Sequence, residues 1–435
     1  MMRKKRFLPM LLLLAFSVGH AFAQKPVPER PRILISTDIG GTDPDDNQSM
    51  MHYLLYSNEF DCEGLVSSPS FGDGDKSEIL RMIDIYEEDL PKLKQHARRY
   101  PSPEYLRSIT KQGRHGAAPL VGYSTPTEGS EWIVRCARKN TARPLYVLVW
   151  GGLDDVAQAL HDAPDIARKI RVYWIGGPNK KWGINAYVYI IEHFPDLWMI
   201  ENNSTYRSFI AKYKQDDRWN GGFYDHYVKG CGFLGEDFFN YLGGKPKLGD
   251  TPSLLYMMDG DPSDPCRESW GGSFEKYSYT PRVVFSHQTT ARDTAQIYSI
   301  IEWHVKGPVR KDIPVGTECI TLDIARQKWQ GYYMGDGNYM VKYSTYKVGT
   351  QPYTITSDIK GFPQQQGFIT IENVFPGKHR STDYRTGAQW YSDKVAPELF
   401  YDNNQGAMTV YKWRKDAIED WGKRCQWLKY TDIKK

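Results

Sequence analysis

The sequence lacks the features that mark several large function classes. Its six cysteines, Cys62, Cys136, Cys231, Cys266, Cys319 and Cys425, stand far apart with no Cys-x-x-Cys pair, which argues against a zinc site. They allow one disulfide in an oxidising compartment, with Cys231 and Cys266 as the candidate pair, or else buried free thiols. Net charge is only +4 and the charged residues are scattered, so there is no basic stripe for nucleic acid and no polybasic membrane patch. There is no short internal repeat, and no low-complexity tract beyond the N-terminal leader.

That leader is the one long apolar run. A basic MMRKKR, an apolar FLPMLLLLAFSVG and the small-x-small triplet Ala21-Phe-Ala23 read as a secretory signal, residues 1–23, cut after Ala23. The apolar core is short for a membrane span. Gln24 follows the cut rather than Cys, which argues against a lipid anchor. The mature chain is expected to be exported, periplasmic or secreted, with no membrane insertion. Aromatic residues are plentiful at 14%, with 30 Tyr and 13 Trp. Such a content fits carbohydrate contact, and equally an ordinary aromatic core.

From Arg32 to about Phe285 the pattern alternates between strands and helices. Strands are predicted at Ile33–Ser36, Glu63–Ser67, Leu145–Trp150, Ile170–Ile175 and Leu197–Ile200. Helices are predicted at Asp46–Ser57, Lys76–Tyr86, Glu128–Lys139, Leu153–Leu160 and Ala186–Phe194. The continuous apolar run LYVLVW is what a strand buried on both faces requires. This alternation predicts an α/β fold with a doubly wound, mostly parallel sheet over residues 28–290. After about residue 290 short Val/Ile/Thr/Tyr runs alternate with Gly and Pro turns. They predict a β-rich, sandwich-like module over 291–410. A helix at 411–430 follows, with Trp413, Ala417, Trp421, Cys425 and Leu428 on one stripe, expected to dock back on the α/β domain.

The chemistry concentrates in ISTDIGGTDPDDNQSMM, which places Asp38, Asp43, Asp45 and Asp46 just beyond the first strand. Ligands of open α/β sheets bind beyond the carboxyl ends of strands, and crowded carboxylates need a compensating charge. Calcium suits an irregular all-oxygen set. The alternative is an acidic surface turn that caps the following helix.

An apolar strand running into Asp-x-Gly…Asp-Asp and a helix resembles the nucleoside hydrolase superfamily. Glu63-Gly-Leu-Val-Ser-Ser68, Leu148-Val-Trp-Gly-Gly-Leu-Asp-Asp155 and Leu248-Gly-Asp-Thr-Pro-Ser253 resemble its later segments in order. Trp182-Gly-Ile-Asn-Ala186, Phe194-Pro-Asp-Leu-Trp198 and Ser269-Trp-Gly-Gly-Ser-Phe274 are similar to an exported branch known as cellulose-binding proteins with a nucleoside-hydrolase-like domain. The resemblance implies one calcium ion held by the side chains of Asp38, Asp46 and Asp250 and by the backbone carbonyl of Asp154. It implies that Asp38 also serves as base for water. Asp45, with Asp43 as competitor, would bind a sugar hydroxyl, and Asn185 is a further substrate-binding candidate or a helix cap.

Two departures stand out. Ser36 replaces the usual Asp, and Gly249 stands where nucleoside-cleaving members often carry a His. His115, Glu128 and Asp259 are candidate acids for a leaving group, or ordinary polar residues. The expectation is a calcium-dependent glycosidase that cleaves an N- or O-linked pentofuranosyl-type bond in a carbohydrate or glycoside substrate. The alternatives are a non-catalytic polysaccharide-binding protein on the same fold and a nucleoside N-ribohydrolase. Related hydrolases form homo-oligomers. The Asp73-Gly-Asp75 stretch reads as a turn and cap or a further oxygen site. Trp329, Tyr332, Tyr333 and Trp390 read as β-module core or a glycan platform.

Overall fold

The run Arg-Ile-Leu-Ile-Ser-Thr forms strand β1, Arg32–Thr37, buried at every position. The computed structural model containing it describes residues 29–41, 43–70, 74–210, 217–240 and 242–429. The leader, residues 1–23, and Asp73 lie outside the described residues; Asp75 caps the helix that follows, accepting from the Ser77 amide at 2.8 Å.

The other strands of this sheet are β2, Asp61–Ser67; β3, Thr110–Gln112; β4, Leu145–Val149; β5, Ile170–Ile175; and β6, Trp198–Asn202. With Trp390–Asp393 and Phe274–Lys276 they make an eight-stranded sheet, in the order β3-β2-β1-β4-β5-β6 followed by those two. All neighbours run parallel except the last pair. The strand order reverses at β1, whose two neighbours are β2 and β4. A crevice opens at such a reversal because the crossovers on its two sides leave in opposite directions.

The predicted helices are present with small shifts. The first runs Asp45–Tyr56, and the next extends from Lys76 to His96 rather than stopping at Tyr86. The acidic Glu87-Glu88-Asp89 stretch hides the apolar stripe there, but Leu90 and Leu93 resume it and are buried. Helices at Gly232–Asn240 and Thr251–Met258 were not legible, since each is too short to show a clear helical stripe.

The β-rich region forms a second eight-stranded sheet. Its Leu322, Ile355 and Ile371 share one continuous buried cluster with Ala186, Tyr187 and Ile190 of the helix Ile184–His193. The chain passes between the sheets: Arg282–Phe285 belongs to the second, and Trp390–Asp393 returns to the first. Trp329, Tyr332, Tyr333 and Trp390 are all buried, so they serve the core and not an exposed platform. Trp390, for instance, donates to the buried Glu201 at 3.0 Å.

The terminal helix, Arg414–Gln426, packs on the α/β sheet's helices. Ala417, Trp421, Cys425 and Leu428 are buried as expected. The Trp421 ring stacks on His52 of the first helix, with centroids 4.4 Å apart. Burial, then the Arg424 charge, lowers the His52 pKa to about 3, so this imidazole is a neutral packing partner. Trp413 leaves the stripe and instead donates to Glu268 at 3.1 Å. Cys231 does not pair with Cys266, which is exposed. The Cys231 thiol is buried against Cys425, because the docked helix brings Cys425 there. Among the described residues no helix is long and apolar enough to cross a membrane.

Trp421→Ala should destabilise the protein by about 3–5 kcal/mol in urea unfolding, the usual cost of emptying a buried tryptophan site. Trp413→Ala should cost about 1 kcal/mol or less, since only a partly exposed hydrogen bond is lost.

Candidate functional site

β1 ends at Thr37, and Asp38 follows at its carboxyl end. Asp45 and Asp46 open the first helix, where exposed N–H groups and the helix dipole favour negative charge. The third contributor, Asp250, is some two hundred positions away and is delivered by side chains of that same helix. The Gln48 carboxamide oxygen accepts from the amides of Lys247 at 2.7 Å and Leu248 at 3.1 Å, and its nitrogen donates to the Lys245 carbonyl at 2.9 Å. The next residue, Ser49, accepts from the Thr251 hydroxyl at 3.2 Å. Leu248, between these anchors, has φ of 51°, a left-handed conformation that costs a non-glycine residue about 1 kcal/mol or more. The Gln48 clamp holds that strained turn.

Carboxylate oxygens of Asp45, Asp46 and Asp250 lie within 4.8 Å of one another. At that separation two full negative charges repel by about 3 kcal/mol even at an effective dielectric of about 20. The Asp46 pKa is accordingly raised well above the ordinary carboxylate value, by burial first, then by Asp38, Asp250 and Asp45. Asp250 is raised by burial and by Asp38, against the relief of Lys247. Asp45 is raised by burial, Asp250 and Asp38. Thr37 donates its hydroxyl to Asp46 while accepting from the Ile39 amide at 3.1 Å. Asp250 Oδ2 is buried with no hydrogen-bond partner. An unpartnered carboxylate oxygen among other carboxylates is what a hard divalent cation satisfies, so the donor set fits calcium.

The cluster opens into a cavity of about 580 Å3 whose lining includes Asp38, Asp43, Asp45, Asp46 and Asp250, within the size range of ligand pockets. It lies at the reversal point, since Trp150 after β4 and Ile175 of β5 also line it. Asp43 sits at the rim in an ion pair with Lys247, which also approaches Asp45 at 3.5 Å. Two expected residues are elsewhere. Asp154 is buried behind β4, its carboxylate accepting from the Ala118 amide at 2.6 Å, with burial raising its pKa to about 7. Asn185 donates to the Ala118 carbonyl at 3.1 Å and the Tyr332 hydroxyl at 2.9 Å and accepts from Lys342 at 3.3 Å. Its amide therefore joins the helix to the second sheet, and neither residue lines the cavity. Nor do the candidate acids: His115 and Asp259 are exposed, and Glu128 pairs with Lys76 at 3.0 Å.

Gly249 has a steric explanation. A Cβ built there would meet Asp45 Oδ2 at 2.5 Å, so the carboxylate occupies the space a side chain would need. The residues that sequence reasoning missed are Lys181, Trp182, Tyr206 and Arg207 after β5 and β6, Lys247, and Gln327, Tyr346 and Tyr401 from the later chain. For those after β5 and β6 the signal was their place behind parallel strands. For the last three, which come from the β-rich region and its return, no local signal exists.

Solved structures resemble the chain at low identity. A nucleoside hydrolase-related protein from Saccharophagus degradans, associated with carbohydrate metabolism, shares 18% identity over 79% of this chain and 100% of its own, with a TM-score of 0.50. An inosine-uridine preferring nucleoside hydrolase from Bacillus anthracis shares 15% over 58% of this chain and 86% of its own, TM-score 0.38. A purine-preferring ribonucleoside hydrolase from Gardnerella vaginalis shares 13% over 57% and 84%, TM-score 0.35. No curated protein matches the chain in sequence. The family described as cellulose-binding Sde182, nucleoside hydrolase-like domain, matches residues 32–274, more than half of the chain, and the protein therefore belongs to that family.

Proposed function

We propose that the cavity is the active site of an exported, calcium-dependent glycosidase that hydrolyses a furanosyl-type N- or O-glycosidic bond in a carbohydrate or glycoside. The observation that carries this reading is the convergence of Asp45, Asp46 and Asp250 on one point, with Asp250 Oδ2 buried and unpartnered. Asp38, Asp46 and Asp250, all on the cavity lining, would hold the ion. When bound, calcium offsets the repulsion among the carboxylates, grips vicinal sugar hydroxyls and makes water more acidic.

The chain's own residues do the rest. Asp38, at the cavity wall against Gly151, takes the proton from water as its oxygen attacks the anomeric carbon. Asp45 accepts from a sugar hydroxyl, and the surrounding negative charge stabilises the oxocarbenium-like transition state. The glycosidic bond breaks as the water oxygen bonds to that carbon, and its electron pair leaves with the departing group, which takes a proton from solvent. Trp182 and Tyr206 offer aromatic surface for the sugar faces.

One observation favours a second reading, a non-catalytic polysaccharide-binding protein on this fold. Gly249 leaves no acid beside Asp250, and the Asp45 carboxylate fills the space where one would stand. The family's description points the same way. Sugar release from aryl pentofuranosides or polysaccharide digests that stops with chelator supports the enzyme. Retention on insoluble glycan without release supports the binder. Nucleosides belong in the same panel, as the substrates of a nucleoside N-ribohydrolase.

Four outcomes are expected. Calcium titration should show one site, lost in Asp250→Asn, and Asp38→Asn should abolish turnover while the fold remains intact by circular dichroism. Gln48→Leu, which releases the turn before Asp250, should weaken calcium binding about tenfold or more, about 1.4 kcal/mol or above. Stability of the metal-free protein should respond to pH in a particular sense. Its clustered carboxylates have folded-state pKa values raised above the unfolded ones, so the folded state binds more protons and loses stability as pH rises above about 4. The gain in melting temperature on adding calcium should therefore grow from pH 5 to pH 8; a flat profile would count against the cluster.

A further inference from the structure

The cavity has a second charged wall, and its cations lack acidic partners. Arg207 lines the cavity after β6. Its Nε and Nη2 are buried and have no hydrogen-bond partner. Those two nitrogens form one side of the guanidinium fork, the edge that grips an oxyanion with two parallel hydrogen bonds. The guanidinium carbon lies 4.7 Å from the Tyr346 ring centre and 5.3 Å from that of Tyr206. Lys181, on the same lining, donates to Gln327 at 3.0 Å and lies 4.6 Å from the Trp182 ring centre. Neither cation is in an ion pair among the described residues, whereas Lys247 pairs with Asp43 and Asp45.

Tyr206 shares the lining with Asp45 and Asp250, and its ring centre lies 5.3 Å from the Arg207 guanidinium carbon. The cavity lining thus combines a carboxylate cluster with two cations that rest against aromatic rings. A buried guanidinium without a counter-charge is costly. So is a half-buried lysine, and burial lowers the Lys181 pKa to about 8. A ligand that brings the missing negative charge relieves both.

We infer that the cavity recognises a sugar or glycoside carrying an oxyanion substituent, a carboxylate or a phosphate or sulfate ester, which docks between Arg207 and Lys181 while the sugar ring faces the carboxylate cluster. The inference rests on the reading of the cavity as a sugar site and adds the substrate class. Tyr346 is 45% exposed and comes from the second sheet's chain. A swing of its ring away from the guanidinium opens the fork to the ligand.

The test is calorimetric titration of the full mature chain in saturating calcium with two matched pairs: ribose against ribose 5-phosphate, and galactose against galacturonate. The anionic member of at least one pair should bind about tenfold or more tightly than its neutral parent. Which pair shows the preference separates a phosphate from a carboxylate ligand. Lys181→Gln should reduce the preference to about threefold or less without altering calcium binding, and Arg207→Lys should reduce it while retaining charge. If Arg207→Lys fails to fold, the Lys181 variant carries the test. Equal affinity for charged and neutral sugars, or no binding of either anion, overturns the inference. It leaves the hydrolase reading intact if calcium and neutral sugars still bind. Loss of calcium binding as well would remove that reading separately.

Discussion

The architecture of this site depends on electrostatic repulsion held in check. Asp45, Asp46 and Asp250 would separate if they were free to, since burial and mutual charge all disfavour their ionised forms. They stay together because the backbone leaves little choice. The first helix fixes two of them in its opening turn, and the Gln48 side chain binds the 245–248 turn on three backbone groups. The energy for this comes from elsewhere in the fold. Leu54, Leu55 and Met50 on that helix are fully buried, and the Trp421–His52 stack holds its outer face. Apolar packing of a helix thus offsets an unfavourable charge arrangement at its N-terminus, as functional sites commonly require.

What could be read in the sequence follows from how local each signal was. β5 is legible to the residue, because Ile170–Ile175 is β-branched or aromatic at every position but Arg171. Asp38, Asp45 and Asp46 were legible because four acids within nine residues have few structural uses. Asp250 was reachable only by family resemblance, since nothing local to Gly-Asp-Thr-Pro announces a partner across the fold. Asn185 misled for the opposite reason. Its place before a helix suggested a cap or a sugar contact, yet its amide is committed to Ala118, Tyr332 and Lys342. Two of those partners come from the second sheet, and their approach to this helix is tertiary information.

The aromatic residues show the same limit. Trp329 and Trp390 read as either platform or core, and the choice depended on which neighbour arrived. Trp182 covers Trp329, with ring centres 4.7 Å apart. Glu201 receives the Trp390 indole, along with Tyr187 at 2.9 Å, Asn203 at 2.9 Å and the Lys180 ammonium. A buried lysine–glutamate pair is a weak stabiliser by itself, because desolvation cancels most of the attraction. Here it fixes geometry: the same Lys180 Nζ donates to the Tyr298 carbonyl at 2.9 Å, tying the chain of the second sheet to β6.

That tie bears directly on the cavity. Gln327 and Tyr346 come from the second sheet and the chain leaving it, and Tyr401 comes from the two-residue turn closed by Asn404 at 2.9 and 3.1 Å. Both central residues of that turn, Asp402 and Asn403, have positive φ, as a tight hairpin demands. The later chain thus supplies part of the cavity wall. A shift of the second sheet would carry Tyr346 off the Arg207 guanidinium and Gln327 off Lys181. The Lys180–Glu201 joint lies one residue from Lys181, on the same turn. The junction between the two sheets and one cation of the cavity wall are therefore adjacent lysines, Lys180 in the joint and Lys181 on the lining.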